Sequence, residues 1–307
     1  MKARRGIYAA AVSPFDENGH LDVAKLIGYC RHLMSDAGGC DGVAPTGTTG
    51  EGTSISISER LALPGAFAEA EIPGDRVIFG TGAPSAEDAL ALTKAAFEAG
   101  YPNVLVLPPY YYKNPHEEGL YAYFSRLAEG VGDDRLRIYL YHFPQMSAVP
   151  LPVSLVKRLK KAFGPVIAGL KDSSGDFEQS RAFIEATGGV DADFDVFPAS
   201  EAFLEEGLSL GSAGTISGST NAFGGLAQRA YRATGADRTA AMGPIKAARA
   251  VAAKYNMMAV MKQIEAWRTG DESWQRMAPP LVPLTAEQRA SLRSDLDSLA
   301  PGALAAE

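Results

Sequence analysis

Cysteine and histidine are scarce in this sequence. The two cysteines, Cys30 and Cys40, lack the C-x-x-C spacing of redox and zinc motifs and are too few for a disulfide framework. The four histidines form no H-x-x-x-H or H-x-H pair, the usual spacings of a metal site built by neighbouring side chains. We therefore expect reduced, structural thiols and no metal site.

Long apolar runs and an excess of basic charge are also missing. No apolar stretch approaches the roughly 18 residues that a membrane span requires. The N-terminus has basic residues before I-Y-A-A-A-V, but so short an apolar run fits a first strand better than a signal peptide. A formal net charge of −7 with mixed signs gives no basic stripe. We expect a cytoplasmic protein whose partners include neither nucleic acid nor a membrane.

Short apolar runs rich in β-formers alternate with longer helical patterns along two-thirds of the chain. Segments 56–59 and 85–88 have capping-box spacing, and Gly100 fits the position after a helix end. Strands that alternate with helices imply a parallel sheet, and eight such units suggest closure. We predict an α/β fold, a (β/α)8 TIM barrel, with strands at residues 7–12, 40–45, 76–81, 103–108, 136–141, 165–171, 194–198 and 212–216.

The strand pattern stops near residue 235. Segments 238–255, 257–269 and 285–299 read as helices, the last of them with another capping box at its start. We predict a catalytic barrel over residues 1–235 and a C-terminal helical extension over 236–307. An all-helical extension fits a packing or oligomer element better than a second catalytic domain.

Lys171 ends the sixth predicted strand, V-I-A-G-L-K, at the barrel end where active sites lie. A buried amine favours its neutral form, and a neutral amine on a rigid strand can attack a ketone to form a Schiff base. The alternative is a strand-end lysine that pairs with Asp172 or extends into solvent. For an isolated lysine this alternative is the better interpretation.

Residues at three other strand ends favour the Schiff-base interpretation of Lys171. The second strand is followed by A-P-T-G-T-T-G-E-G, in which glycines admit a ligand and two threonines could bind a carboxylate; the segment is not a P-loop. Tyr141 ends the fifth strand and could relay protons if Thr48 bonds its hydroxyl. Three tyrosines, 110–112, follow the fourth strand, although an exposed turn or an oligomer contact would explain them equally.

Together these motifs resemble the dihydrodipicolinate synthase/N-acetylneuraminate lyase family of class I pyruvate-dependent aldolases. The resemblance covers residues 7–284 in the family's order and rests on G-T-T-G-E, P-Y-Y with E-G-L-Y, Tyr141 with Pro144, G-L-K-D, and G-S-A-G-T-I-S with Asn221. It implies a (β/α)8 barrel with a C-terminal helical extension, assembled as a homotetramer of two tight dimers. It also implies that no cofactor is needed, because the substrate bonds covalently to the protein.

The resemblance assigns roles to individual residues. Lys171 matches the lysine that forms the Schiff base with the keto carbon of pyruvate, and Tyr141 matches the tyrosine that relays protons. Thr48 and Thr49, after Gly47, match the pair that holds the pyruvate carboxylate and orients that tyrosine.

Two further positions follow from the same resemblance. Tyr111 matches a tyrosine that reaches the site of a neighbouring subunit, with Tyr112 as the alternative because Y-Y-Y-K-N-P has an extra residue. Ile216 matches a position whose backbone carbonyl lies near the lysine adduct.

One departure from the family bears on the substrate. Lysine-pathway synthases usually have an arginine five residues after the catalytic tyrosine, where this chain has Met146. A thioether cannot pair with a carboxylate, and each lost charge-assisted hydrogen bond is worth roughly 1.5–3 kcal/mol. Other polar residues could face a hydroxylated chain instead: His142, Gln145, Ser200 and Glu201.

We therefore predict a lyase that cleaves or forms a 4-hydroxy- or 3-deoxy-2-keto acid with pyruvate as one half. Dehydration of a 2-keto-3-deoxy acid on the same lysine is a related reaction. Three alternatives stay open: a dihydrodipicolinate synthase that condenses pyruvate with aspartate semialdehyde, a non-catalytic barrel that binds a keto acid, and an unrelated metal-dependent aldolase.

Overall fold

A computed structural model describes residues 2–299 of the chain. In this part, strands and helices alternate from β1 to the helix that follows β8, as predicted. The strands are β1 Gly6–Ala9, β2 Gly42–Val43, β3 Phe79–Gly80, β4 Asn103–Val106, β5 Arg137–His142, β6 Ile167–Asp172, β7 Asp195–Pro198 and β8 Gly214–Ser217.

The strands form two parallel ladders, ordered β2-β1-β8 and β3-β4-β5-β6-β7. Backbone hydrogen bonds join the ladders at both junctions. The Ile78 amide donates to the Val43 carbonyl at 3.0 Å, and the Ala213 amide donates to the Val196 carbonyl at 2.9 Å. The sheet therefore closes on itself, and the predicted TIM barrel is confirmed.

Some strands are shorter than their apolar runs. The prediction of 40–45 covers β2, whose regular ladder spans only Gly42–Val43. The flanking residues still bond to the neighbouring strands, since the Ala44 amide donates to the Ala9 carbonyl at 2.7 Å and the Gly80 amide donates to the Pro45 carbonyl at 2.9 Å. An apolar run predicts the buried extended segment better than it predicts the length of the ladder.

The helices form the outer layer of the barrel, and the predicted boundary signals lie where expected. Ser56 starts α2 with a complete capping box, whereas Ser85 only accepts a bond from the Asp88 amide at the start of α3. Gly100 follows α3 with φ of 93°. The helices are α1 Val23–Leu33, α2 Ile57–Glu69, α3 Ala86–Glu98, α4 Glu117–Val131, α5 Pro144–Ser147, α6 Val153–Phe163, α7 Phe177–Thr187, α8 Leu204–Leu210, α9 Thr220–Arg232, α10 Gly235–Ala252, α11 Met257–Thr269 and α12 Ala286–Asp297.

The core has an inner and an outer part, because side chains alternate along each strand. In β5, Tyr139 and Tyr141 belong to the inner cluster, which fills the barrel with residues such as Phe197. Ile138 and Leu140 of the same strand belong to the outer cluster, between sheet and helices. Full burial of one large apolar side chain contributes about 1.5–3 kcal/mol, so both clusters stabilise the closed sheet.

The last three helices form the C-terminal extension. Helix α10 packs against α9 and α12, and α11 also packs against α9. Helix α10 begins at Gly235, close to the predicted boundary at residue 235. The division into two domains stays a prediction, and residues 300–307 of the second lie outside the described residues. Within residues 2–299, no helix is long and apolar enough to cross a membrane.

Candidate active site

A cavity of about 220 Å³ opens at the carboxyl ends of the barrel strands. Its wall combines residues at or after the ends of β2, β5, β6, β7 and β8 with side chains from α10 and α11. Active sites of this fold lie at this end of the barrel. The polar residues that matter below are Thr48, Thr49, Tyr141, Lys171, Ser200 and Arg249.

Lys171 lies in β6 with only 3% of its surface exposed. It is in register with Tyr141 on β5, and its Nζ lies 4.4 Å from the centroid of the Tyr141 ring. Within residues 2–299 no carboxylate lies within ion-pair distance of this amine. The neutral form of a lysine amine is the nucleophile of Schiff-base chemistry.

Asp172 does not pair with Lys171, although it is the next residue. Its Oδ1 accepts a hydrogen bond from the Ser174 amide at 2.9 Å, and its Oδ2 accepts one from the Ser180 hydroxyl at 2.6 Å. The alternative interpretation, a strand-end lysine paired with this carboxylate, is therefore not what the structure contains.

Tyr141 is 2% exposed and borders the same cavity. Its hydroxyl lies 3.5 Å from the Ser173 Oγ, at the outer limit of a hydrogen bond. The described chain contains no hydrogen bond between Tyr141 and Thr48, although both residues line the cavity. Ser173, which sequence reasoning did not select, is thus the residue whose hydroxyl bonds to the phenol in the described chain.

Thr48 and Thr49 line the cavity from a tight loop after β2. The backbone at both ends of this loop is left-handed, with φ of 57° at Thr46 and 52° at Glu51. Non-glycine residues occupy this region at a cost, and such residues cluster at functional sites. Gly47 lies in the loop but borders a smaller neighbouring cavity with Thr48.

An ion pair that is fully buried holds the end of this loop. The carboxylate of Glu51 pairs with the Lys262 ammonium on α11, and both side chains are 0% exposed. Glu51 Oε2 also accepts a bond from the Ala278 amide at 2.8 Å, and Lys262 Nζ donates to the Arg276 carbonyl at 2.6 Å. The C-terminal extension is thereby bonded directly to the threonine loop.

Met146 and Ser200 both border the cavity, as expected for substrate contacts. Met146 is 57% exposed, at the mouth, whereas Ser200 is 8% exposed. Ile216 is fully buried in the barrel and pairs in register with Tyr8. Its side chain belongs to the inner core, and the expectation for its backbone carbonyl stays a prediction.

His142 lies outside the cavity, contrary to the prediction that it faces the substrate. It follows Tyr141 in β5, so its side chain points to the opposite face of the sheet. Its Nδ1 accepts a bond from the Leu151 amide at 3.0 Å, and its ring packs on Phe183 at 5.4 Å between centroids. Burial lowers the pKa of His142, against the opposing effect of the Asp172 carboxylate.

Glu201 is also turned away from the cavity and is 0% exposed. Its carboxylate accepts bonds from the hydroxyls of Ser217, at 2.6 Å, and Ser219. Arg249 completes this cluster, with Nη1 at 3.2 Å from Glu201 Oε2 and 2.7 Å from Ser219 Oγ. Arg249 lines the cavity, and no sequence signal pointed to it, because it lies in a helix after the last strand.

The two candidate tyrosines for a contact between subunits lie far out on the surface. Tyr111 is 73% exposed and Tyr112 is 78% exposed, and their rings pack edge to face with centroids 5.3 Å apart. Neither borders the cavity of its own chain. Which of them contacts another subunit stays a prediction.

The residues that the structure describes contain no group of three histidine, cysteine, aspartate or glutamate side chains that could hold a metal ion. Both cysteines are free and buried. The cavity wall offers a buried amine, a buried phenol, several hydroxyls and the Arg249 guanidinium.

Comparison with known proteins identifies the family. The model of the dihydrodipicolinate synthetase family matches residues 3–299. An uncharacterized DapA-like lyase from Chloroflexus aurantiacus is 35% identical over 98% of this chain and 99% of its own. Dihydrodipicolinate synthase from Agrobacterium tumefaciens str. C58 has a TM-score of 0.87 at 32% identity, covering 97% of this chain and 100% of that one. The E. coli K12 prophage protein YagE, solved in complex with pyruvate, has a TM-score of 0.85 at 25% identity, covering 96% and 98%.

The match extends over almost the entire described chain and agrees with the position of the buried lysine at a barrel strand end. The chain belongs to the dihydrodipicolinate synthetase family and is a carbon–carbon lyase of the class I aldolase type.

Proposed function

We propose that this protein cleaves a 4-hydroxy- or 3-deoxy-2-keto acid into pyruvate and an aldehyde, or joins the two in reverse, through a Schiff base on Lys171. The observation that carries the proposal is the buried amine of Lys171, 4.4 Å from the Tyr141 ring and without a carboxylate beside it in the described chain. The likeness to YagE, whose solved structure contains pyruvate, supports pyruvate as the keto-acid half.

The steps follow from the groups around the cavity. Hydroxyls and amides of Thr48 and Thr49 hold the substrate carboxylate, and the Lys171 amine adds to the 2-keto carbon. The Tyr141 phenol gives its proton to the departing hydroxyl, which leaves as water, so that an iminium and a phenolate remain. The C3–C4 bond then breaks, its electron pair forms the enamine, and the proton of the C4 hydroxyl passes to Tyr141. Protonation of the enamine at C3 and hydrolysis with one water release pyruvate and restore the amine. No cofactor takes part in this sequence.

The substrate class rests on the side of the cavity where Met146 lies. Met146 and Phe143 border this region, and neither can pair with a carboxylate there. Ser200 and Ser173 offer hydroxyls to the same cavity, which suits a hydroxylated keto acid.

A second candidate is dihydrodipicolinate synthase itself, which condenses pyruvate with aspartate semialdehyde. The observation in its favour is the TM-score of 0.87 to the Agrobacterium enzyme of that name. The two candidates share the pyruvate adduct on Lys171 and differ in the second substrate. A spectrophotometric assay with pyruvate and aspartate semialdehyde separates them, and turnover with that pair as the best of a keto-acid panel would favour the synthase.

The test of the shared chemistry is trapping of the adduct. The protein is incubated with pyruvate and borohydride, digested and analysed by mass spectrometry. We expect a pyruvyl adduct on the peptide that contains Lys171, and none after Lys171→Ala. Lys161→Ala, an exposed lysine on α6, is the matched control and should leave labelling unchanged. Labelling elsewhere, or no labelling of the natural protein, would refute the proposal.

The assembly is part of the same proposal. We expect a homotetramer made of two dimers, with Tyr111 or Tyr112 reaching the neighbouring site, because both rings are exposed in the single chain. Light scattering after size-exclusion chromatography measures the mass, and a monomer with full activity would contradict a site completed by a neighbour. The cytoplasmic location stays a prediction.

A further inference from the structure

Arg249 reaches the cavity from α10, outside the ring of strand ends that carries most of the other polar groups. Its side chain is 26% exposed, so the guanidinium is neither buried in the core nor free in solvent. A long, mobile side chain in a cavity mouth usually has many conformations. The Arg249 side chain is held in one conformation by hydrogen bonds. These bonds also show which of its N–H donors remain for a ligand.

In the described chain, every hydrogen bond from the Arg249 side chain to the protein comes from one nitrogen, Nη1. Nη1 donates to Ser219 Oγ at 2.7 Å, to Ser217 Oγ at 3.2 Å and to Glu201 Oε2 at 3.2 Å. The two serine hydroxyls in turn donate to Glu201, so their oxygens are oriented to accept from the arginine. In the described chain, Nε and Nη2 donate to no protein acceptor. An arginine has five N–H donors in a rigid plane, and the edge formed by Nε and Nη2 matches a carboxylate in two parallel bonds.

Three acidic groups near the cavity accept hydrogen bonds from the chain. Glu201 is fully buried behind the guanidinium, and both oxygens of Asp172 are occupied by Ser174 and Ser180. Asp176 caps α7, where its Oδ1 accepts a bond from the Glu178 amide at 3.0 Å. These carboxylates are thus committed to partners in the chain, whereas one edge of Arg249 is not.

We propose that Arg249 is a specificity-determining residue that binds a carboxylate at the far end of the substrate, so that the preferred substrate is a 2-keto acid with a second carboxylate. The inference rests on the proposed retro-aldol function and narrows its substrate class to hydroxylated keto acids with a second carboxylate. The first carboxylate binds to Thr48 and Thr49, and the keto carbon reacts with Lys171. The second carboxylate binds to the free Nε–Nη2 edge of Arg249. Cleavage then yields pyruvate and an aldehyde that carries the second carboxylate. Glu201, Ser217 and Ser219 are positioning residues, because they act through the guanidinium.

The test compares 4-hydroxy-2-keto acids of five to seven carbons, prepared in pairs that end either in a carboxylate or in a primary alcohol. For the natural protein we expect kcat/KM to be at least about tenfold higher for the carboxylate member of the best pair. In Arg249→Met that value should fall by roughly 100-fold or more, whereas the value for the alcohol member should change less than about threefold. Arg238→Met, on the same helix but outside the cavity, is the matched control and should change neither.

Removal of Arg249 leaves a buried carboxylate without its cation, and this variant could fail to fold. Arg249→Met combined with Glu201→Gln removes both charges and should show the same loss of discrimination. If neither variant folds, the comparison of the two substrates on the natural protein decides alone. A preference for the alcohol member, or an equal loss for both members in the variants, would overturn the inference.

Trapping with pyruvate separates this inference from the proposed function. Pyruvate has no second carboxylate for Arg249 to bind. The borohydride adduct on Lys171 should therefore form equally well in the natural protein and in Arg249→Met. An intact adduct with no preference for the second carboxylate refutes only the role of Arg249. Absence of the adduct in the natural protein refutes the proposed function, and this inference fails with it.

Discussion

Replacement of Lys262 by methionine should destabilise the protein and lower its kcat/KM, although Lys262 does not line the cavity. The change removes the ammonium from a pair in which both side chains are 0% exposed and leaves Glu51 buried with one amide donor, from Ala278 at 2.8 Å. Burial raises the pKa of Glu51 and lowers the pKa of Lys262, although each ion favours the charge of the other. Desolvation therefore disfavours both charged forms, and each charge needs the other to offset this cost.

The magnitude follows from the cost of an unpaired buried charge. Loss of one partner of a buried pair costs about 3–5 kcal/mol, because the remaining ion stays desolvated. For a chain of this size, 1 kcal/mol corresponds to roughly 2 °C in Tm, so we expect a decrease of roughly 6–10 °C. Glu51 also ends the threonine loop in a left-handed conformation, with φ of 52°, and the pair helps to hold it there. A loop displaced by even 1 Å should lower kcat/KM by roughly 10- to 100-fold.

The assay is a double-mutant cycle with Lys262→Met, Glu51→Gln and the double variant. Tm is measured by calorimetry at one protein concentration, and kcat/KM is measured with the best keto acid. Glutamine still accepts from the Ala278 amide but carries no charge, so the double variant should recover more than half of the lost Tm. Lys254→Met, which removes an exposed pair with Asp295 at 2.9 Å, is the control and should leave Tm within about 2 °C.

Two results would refute the reasoning. If Lys262→Met unfolds within about 2 °C of the natural protein, the lone carboxylate costs little and the burial argument fails. If the double variant is as unstable as the sum of the single ones, the two groups do not interact, and the link between the extension and the loop is not an ion pair.

Two further predictions concern the cavity. Tyr141→Phe should keep the far-ultraviolet circular dichroism of the natural protein and lose roughly 100-fold or more in kcat, because no other phenol lies beside the Lys171 amine in the described chain; an unchanged kcat would remove its role in proton transfer. Met146→Arg should raise the kcat/KM for aspartate semialdehyde with pyruvate by at least about tenfold, since it places a guanidinium at the cavity mouth, and a coupled assay measures the gain; no gain would show that Met146 is not what limits this reaction.

The fold could be predicted because its signals are local. β-rich runs alternate with amphipathic helices, and this order permits few topologies other than a parallel sheet. The barrel then places the ends of neighbouring strands together, which is why Tyr141 and Lys171 could be expected side by side and are in register. The positions of Thr48 and Thr49 beside the cavity follow from the same geometry, because their loop follows β2.

The orientation of His142 follows from the strand pattern. Side chains alternate along a strand, so a residue directly after an inward-facing Tyr141 faces the helices. Glu201 is different, because it lies in a short helical turn after β7, where alternation no longer applies. Its partners come from elements that only the folded chain brings together: Ser217, Ser219 and Arg249.

The contribution of the C-terminal extension could not be predicted, and it alters how the barrel should be regarded. Helical periodicity in α10 and α11 shows which face is buried, but it does not show what that face meets. In the folded chain, Lys262 pairs with Glu51 at the end of the threonine loop, and Arg249 borders the cavity beside β8. The extension therefore carries charges to two walls of one site. A barrel that ended at residue 235 would keep the amine and the phenol, but it would lose the cation that neutralises Glu51 and the guanidinium that lies over Glu201. A division into a catalytic barrel and a packing element thus describes the order of elements along the chain. It does not describe which parts of the chain contribute residues to the site.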